Sequence, residues 1–123
     1  MTENAAQVAA AYFESWRTKD FDRLGSLLAD DVTFAGPLGQ ANGAEECRQG
    51  LEGLGRITTD VVVQQTFTDG SDVLTWFELH TTVVPPFSVA NWSRVENGRI
   101  TRVRATFDPR ALLAASEPRK DEE

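Results

Sequence analysis

Apolar residues recur every four positions at Val8, Tyr12 and Trp16, with Ala5, Ala9 and Phe13 beside them. That spacing places them on one face of a helix, so residues 4–18 are predicted to form an amphipathic helix with an aromatic stripe. Asp20 suits the N-cap of a second, short helix whose buried side carries Phe21, Leu24, Leu27 and Leu28. Val32-Thr33-Phe34 reads as a short strand, stopped by Gly36-Pro37-Leu38-Gly39. A third helix follows, marked by Ala44, Cys47, Leu51 and Leu54 and closed at Gly55.

From Ile57 onward the period changes to two, and hairpin signals appear at Asp69-Gly70 and Asn97-Gly98. Both dipeptides suit a type I′ turn, whose two central residues need positive φ. Strands are predicted over 57–68, 72–83, 87–96 and 99–107, the third preceded by Pro85-Pro86. Asp108-Pro109 fits an N-cap and N1 pair opening a last helical turn through Leu113. The expected architecture is α+β: three N-terminal helices packed on the concave face of a curved antiparallel sheet.

Alternation along the strands separates two faces. One carries Phe77, Leu79, Val89, Asn91, Ser93, Val95, Val103, Ala105 and Phe107, and the other carries Trp76, Glu78, His80, Ala90, Trp92, Arg94, Arg102 and Arg104. If the helices cover the first face, two tryptophans remain on the second. The expected cover is another copy of the chain, giving a homodimer through Trp76, Trp92, Arg94, Arg102 and Arg104.

Composition narrows the classes of function. The chain has 123 residues and is 41% hydrophobic, enough for one core, so residues 1–115 are expected to be a single domain. Residues 116–123 offer nothing to bury and are expected to be a disordered acidic tail. A net charge of -7 argues against nucleic acid. Five arginines between Arg94 and Arg110 fit either an anion site or salt bridges on a sheet face. No run approaches the ~20 apolar residues of a membrane span, and no signal segment opens the chain. Cytoplasmic residence without membrane contact is the expectation. A lone Cys47 and a lone His80 give no zinc-type cluster, and no phosphate-cradling glycine loop follows a strand. Neither a metal nor a cofactor is expected.

The runs Ala11-Tyr12-Phe13-Glu14, Lys19-Asp20-Phe21-Asp22-Arg23-Leu24, Leu28-Ala29-Asp30-Asp31-Val32-Thr33-Phe34 and Gly36-Pro37-Leu38-Gly39 resemble the opening of ketosteroid isomerases and SnoaL-like polyketide cyclases. Asn97-Gly98-Arg99-Ile100-Thr101 and Phe107-Asp108-Pro109-Arg110 resemble the last hairpin of the same nuclear transport factor 2-like superfamily. The resemblance implies a cone-shaped α+β barrel enclosing an apolar pocket. It matches Tyr12 and Asn91 to the isomerases' oxyanion-holding pair, and it places their proton-shuttling aspartate at Gly36, which has no side chain. A pocket with two donors and no base could polarise a carbonyl without taking its proton. A similar comparison with limonene epoxide hydrolases puts Phe77, Leu79 and Ala105 where that catalytic triad would stand, which excludes its mechanism.

The candidate site is therefore Tyr12 and Asn91 as hydrogen-bonding or catalytic groups, with Trp16, Phe34, Phe77, Ser93 and Phe107 lining the pocket. The expected ligand is a small, largely apolar molecule, with cyclase- or isomerase-type activity left open. The alternative is a non-catalytic interaction or structural dimer module. Glu78 and His80, two apart on one strand, form an acid and base pair in the pocket only if the sheet register is the opposite one.

Overall fold

The structure is a computed structural model and describes residues 4–116. Helix α1 spans Ala5–Arg17 and starts at a capping box: Asn4 Oδ1 accepts from the Gln7 N–H at 2.8 Å, while Gln7 Oε1 accepts from the Asn4 N–H at 3.2 Å. It ends at Thr18, and Lys19 takes a left-handed φ of 61° to turn the chain into helix α2, Phe21–Ser26. Asp20 caps α2, accepting from the Arg23 N–H at 3.1 Å. Strands β1, Leu28–Gly36, and β2, Gly39–Asn42, precede helix α3, Ala44–Gly55. Strands β3, Thr58–Asp69, β4, Asp72–Thr81, β5, Phe87–Glu96, and β6, Arg99–Thr106, form the meander, and helix α4, Arg110–Ser116, follows.

One curved six-stranded sheet has the order β2-β1-β6-β5-β4-β3. It departs from the expected antiparallel sheet at one pair, because β1 runs parallel to β6. The predicted strand 32–34 is longer, and β2 was not predicted at all. Its four residues, Gly-Gln-Ala-Asn, have low β-propensity and no alternation; the tight turn at Pro37-Leu38, closed by the Gly36 and Gly39 pair, lays them against β1. The two glycine turns also differ. Asn97 (φ 53°) and Gly98 (φ 76°) are both left-handed, as a type I′ turn requires. In the first hairpin Asp69 pairs with Asp72, so the central residues are Gly70 and Ser71, and only Gly70 (φ 59°) is left-handed, the pattern of type II′.

Helix α1 lies across β3 to β6, α3 lies on β1 and β2, and α2 bridges α1 and α3. The predicted division of the faces is observed. Phe77, Leu79, Val89, Asn91, Ser93, Val95 and Val103 are buried under the helices, while Trp76 and Trp92 stay 44% and 42% exposed on the other side. Phe13 is the hinge of an aromatic cluster, with ring centroids 5.1 Å from Tyr12, 4.9 Å from Phe77 and 6.4 Å from Trp16. Each such ring contributes about 1.5–3 kcal/mol through burial, so this cluster sets how deep any cavity can reach. The acidic tail expected over 116–123 lies outside the described residues from 117 onward.

Candidate functional site

A cavity of about 260 Å³ opens between α3 and the β1–β2 hairpin. Leu51 and Leu54 come from one helix face, Phe34 and Ala41 from the hairpin, and Phe107 closes the side next to α4. Gly36 also lines it, and a Cβ there would meet Phe34 Cε1 at 3.4 Å and the Ala105 Cβ at 3.7 Å. The place of the missing aspartate is therefore a part of the cavity wall where a Cβ would fit in ordinary contact with Phe34 and Ala105. Its lining is mostly apolar, with Gln40 and Cys47 the polar exceptions. Burial pushes the Cys47 thiol up from its ordinary range, with a smaller push from Glu46, so it is held neutral.

Of the seven expected site residues, Phe34 and Phe107 line this cavity. Tyr12, Trp16 and Phe77 belong to the packed cluster beneath it. The Trp16 indole donates to Thr58 Oγ1 at 3.2 Å, and that hydroxyl in turn donates to the Leu54 carbonyl at 2.8 Å, which ties α1 to the end of α3. Tyr12 is buried, and its hydroxyl makes no hydrogen bond among the described residues. Burial raises its pKa, and nearby Cys47 adds to the rise, so it remains a neutral donor. Asn91 and Ser93 are buried side by side, the amide Nδ2 donating to Ser93 Oγ at 2.9 Å. Register places Asn91 opposite Ala105, one strand in from Gly36. A row Gly36, Ala105, Asn91 thus runs from the cavity wall into the core.

Sequence reasoning missed Leu38, Ala41, Cys47, Leu51 and Leu54 as cavity residues. An apolar helix stripe reads the same whether it covers a core or a void, and only the hairpin's position opposite α3 separates the two.

His80 and Glu78 lie on the outer face, His80 Nε2 and Glu78 Oε1 2.8 Å apart, away from the cavity. The register that would bring them inside is not the one formed. On the same face the Arg102 guanidinium stands 4.7 Å over the Trp92 ring, and the Trp92 indole donates to Asp72 at 2.9 Å. Arg94 pairs with Asp72 at 3.2 Å and Glu96 at 3.0 Å, so these arginines serve the sheet face as ion-pair and stacking partners. Arg104 donates to the Val103 carbonyl at 2.9 Å. Among the described residues no group of three or more His, Cys, Asp or Glu could hold a metal ion, and no helix is long and apolar enough to cross a membrane.

A family model for the SnoaL-like domain matches residues 9–103. The chain belongs to that family. The SnoaL-like domain superposes on a protein from Kribbella flavida DSM 17836, 30% identical, with a TM-score of 0.83 over 89% of this chain and 90% of the other. An NTF2-like protein from Cytophaga hutchinsonii ATCC 33406 is 23% identical, with a TM-score of 0.81 over 92% of this chain and 97% of that one. An LEH-like epoxide hydrolase from M. tuberculosis is also 23% identical, with a TM-score of 0.75 over 90% and 87% of the two chains. The last two likenesses concern the fold. No relative is found among the curated proteins. At the positions compared with the limonene epoxide hydrolases, Phe77 and Leu79 are buried in the SnoaL-like core and Ala105 presents a methyl group beside Gly36.

Proposed function

We propose that this SnoaL-like domain binds a small, largely apolar molecule in the cavity between α3 and the β1–β2 hairpin. The observation that carries the reading is a mostly apolar cavity with Gly36 in its wall, at the position where the resemblance calls for a general base. Phe34 and Phe107 would flank the ligand, Tyr12 would offer its free hydroxyl from below, and Asn91 would sit behind Ala105. With donors and no base, the site favours binding, or a cyclisation that needs a carbonyl polarised, over proton abstraction. The molecule would act as a homodimer, its outer faces meeting through Trp76 and Trp92 among Arg94, Arg102 and Arg104.

A thermal-shift screen against lipophilic ketones, phenols and polyketide-like aromatics tests the reading, using the wild type and Asn91→Leu. A ligand at 100 times its dissociation constant should add ~2.7 kcal/mol to stability. A shift lost in Asn91→Leu supports the site, and no shift across the panel contradicts it. Light scattering tests the dimer: the wild type should have twice the chain mass, and Trp76→Glu with Trp92→Glu should halve it. A wild-type monomer would instead favour an outer face that docks a different protein.

A further inference from the structure

We propose that the groove between α1 and the edge strand β3 is a second small-molecule site, one that takes an elongated amine with a polar far end. The groove has a volume of about 440 Å³, and its walls are Ala9, Ala10 and Phe13 of α1 facing Val61 and Val63 of β3. It shares no residue with the cavity beside α3. It lies along β3, the last strand of the sheet, whose pairing with β4 shifts register between Val63 and Gln65.

Each end of the groove has an unanswered polar group. At one end Thr75, 2% exposed, turns toward the groove, and its hydroxyl makes no hydrogen bond among the described residues. No sealed side-chain polar atom among the described residues lacks a partner, so this hydroxyl is open to the groove, where a ligand's hydroxyl or carbonyl is a natural complement. Its cross-strand neighbour Asn91 spends its amide on Ser93. At the other end Asp60 forms no ion pair among the described residues; one of its oxygens accepts from the Val61 N–H at 2.9 Å. Glu14 and Arg17 on the same rim satisfy each other through two hydrogen bonds, one of them 2.9 Å long. His80, opposite Asp60 in register, turns its ring to Glu78. Asp60 lines the groove together with Glu14 and Arg17, and Arg17's pKa is raised chiefly by its bond to Glu14, with a smaller contribution from Asp60. The three rim charges leave one carboxylate in excess, which fits a cation.

The distance between the ends fixes the ligand's shape. Thr75 pairs with Thr66, six residues beyond Asp60 along β3. At ~3.3 Å per residue the two groups are roughly 15–20 Å apart, so an extended chain reaches both and a compact ring reaches one. An added peptide strand is the weaker occupant. Register shifts between Thr58 and Asp60 and between Val63 and Gln65 break the ladder of β3 and blunt its edge as a template.

Isothermal titration and amide NMR with three probes test this: 10-amino-1-decanol, decylamine and 1-decanol, each below its aggregation concentration. The wild type should bind the amino alcohol saturably, with amide shifts at Ala9, Ala10 and Val61. Asp60→Asn should weaken the two amines by about three- to five-fold, the range of a half-exposed ion pair, and leave 1-decanol unchanged. Thr75→Val, which removes a hydroxyl that has no partner to lose, should weaken the two alcohols by about five-fold and spare decylamine. Gly36→Leu, which fills the other cavity, should change none of the three. Absence of saturable binding would overturn the proposal, as would shifts centred on Phe34 and Phe107, or an Asp60→Asn effect as large on 1-decanol as on decylamine. Because Gly36→Leu is silent here, failure of the α3 cavity and failure of this groove give separate results.

Discussion

Two glycines two residues apart near the end of α3 should respond to the same substitution with opposite signs. A methyl group on Gly53 would find Arg56 Nη1 at 3.8 Å, an ordinary contact, and nothing nearer. On Gly55 it would stand 2.5 Å from Phe21 Cζ and 2.9 Å from Cε2, inside the van der Waals radius of a ring that is itself buried. Gly→Ala within a helix is worth about 1 kcal/mol, and somewhat less in the last turn. Forcing the ring of Phe21 away costs about 1–3 kcal/mol, because α2 must shift with it. Gly53→Ala should therefore stabilise the domain by about 0.5–1 kcal/mol, and Gly55→Ala should destabilise it by about 1–2 kcal/mol. Urea unfolding followed by tryptophan fluorescence reads both, and the Trp16 indole, buried against Thr58, supplies a signal. The cycle with Phe21→Leu sharpens the test, since the smaller side chain should recover at least about 1 kcal/mol of the Gly55→Ala loss. Equal or raised stability in Gly55→Ala would refute the close α2–α3 approach. That approach also sets Leu51 and Leu54 over the hairpin, so the cavity between α3 and the hairpin depends on it.

Other outcomes follow from single contacts. Thr58→Val removes the acceptor of the buried Trp16 indole together with the bond to the Leu54 carbonyl, and should lower unfolding stability by about 1–3 kcal/mol in the same urea assay. Asp108 is held down to about 2 by side-chain and backbone hydrogen bonds from Arg110. A depressed carboxyl stabilises the fold above its ordinary pKa of ~3.9, and the contribution is lost as pH falls toward about 2; both groups are exposed, so the effect on stability is small. Carboxyl NMR should place its midpoint well below that of an ordinary aspartate, and Arg110→Ala should restore the ordinary value.

The helices and the meander were legible because each carries one clean period. Val8, Tyr12 and Trp16 set α1, and the alternation through Phe77, Asn91 and Val103 set the inner face. Strand β2 was not legible, since Gly39 to Asn42 pairs through a turn rather than through its own propensity. The site was legible only in part. The periodicity that placed Tyr12, Trp16 and Phe77 inside could not say that they would fill the cone, nor that the void would lie higher, against Leu51 and Leu54. Burial and cavity lining share one apolar signature, and what separates them is the volume left over after Phe13 has packed among its neighbours. Thr75 shows the same limit. A threonine on a strand's inner face looks like filler until its hydroxyl is found without a partner.

If the cavity walled by Gly36 holds the ligand, titration calorimetry of the tightest compound from the ketone and phenol panel should separate wild type from Gly36→Leu. Leucine at this position extends from a Cβ already 3.4 Å from Phe34 into the open cavity and should remove the room a ligand needs. Gly36→Leu should lose at least about tenfold in affinity, ~1.4 kcal/mol, with the unfolding midpoint unchanged or raised. Unchanged affinity in the filled variant would mean that the ligand binds elsewhere than in the cavity beside α3.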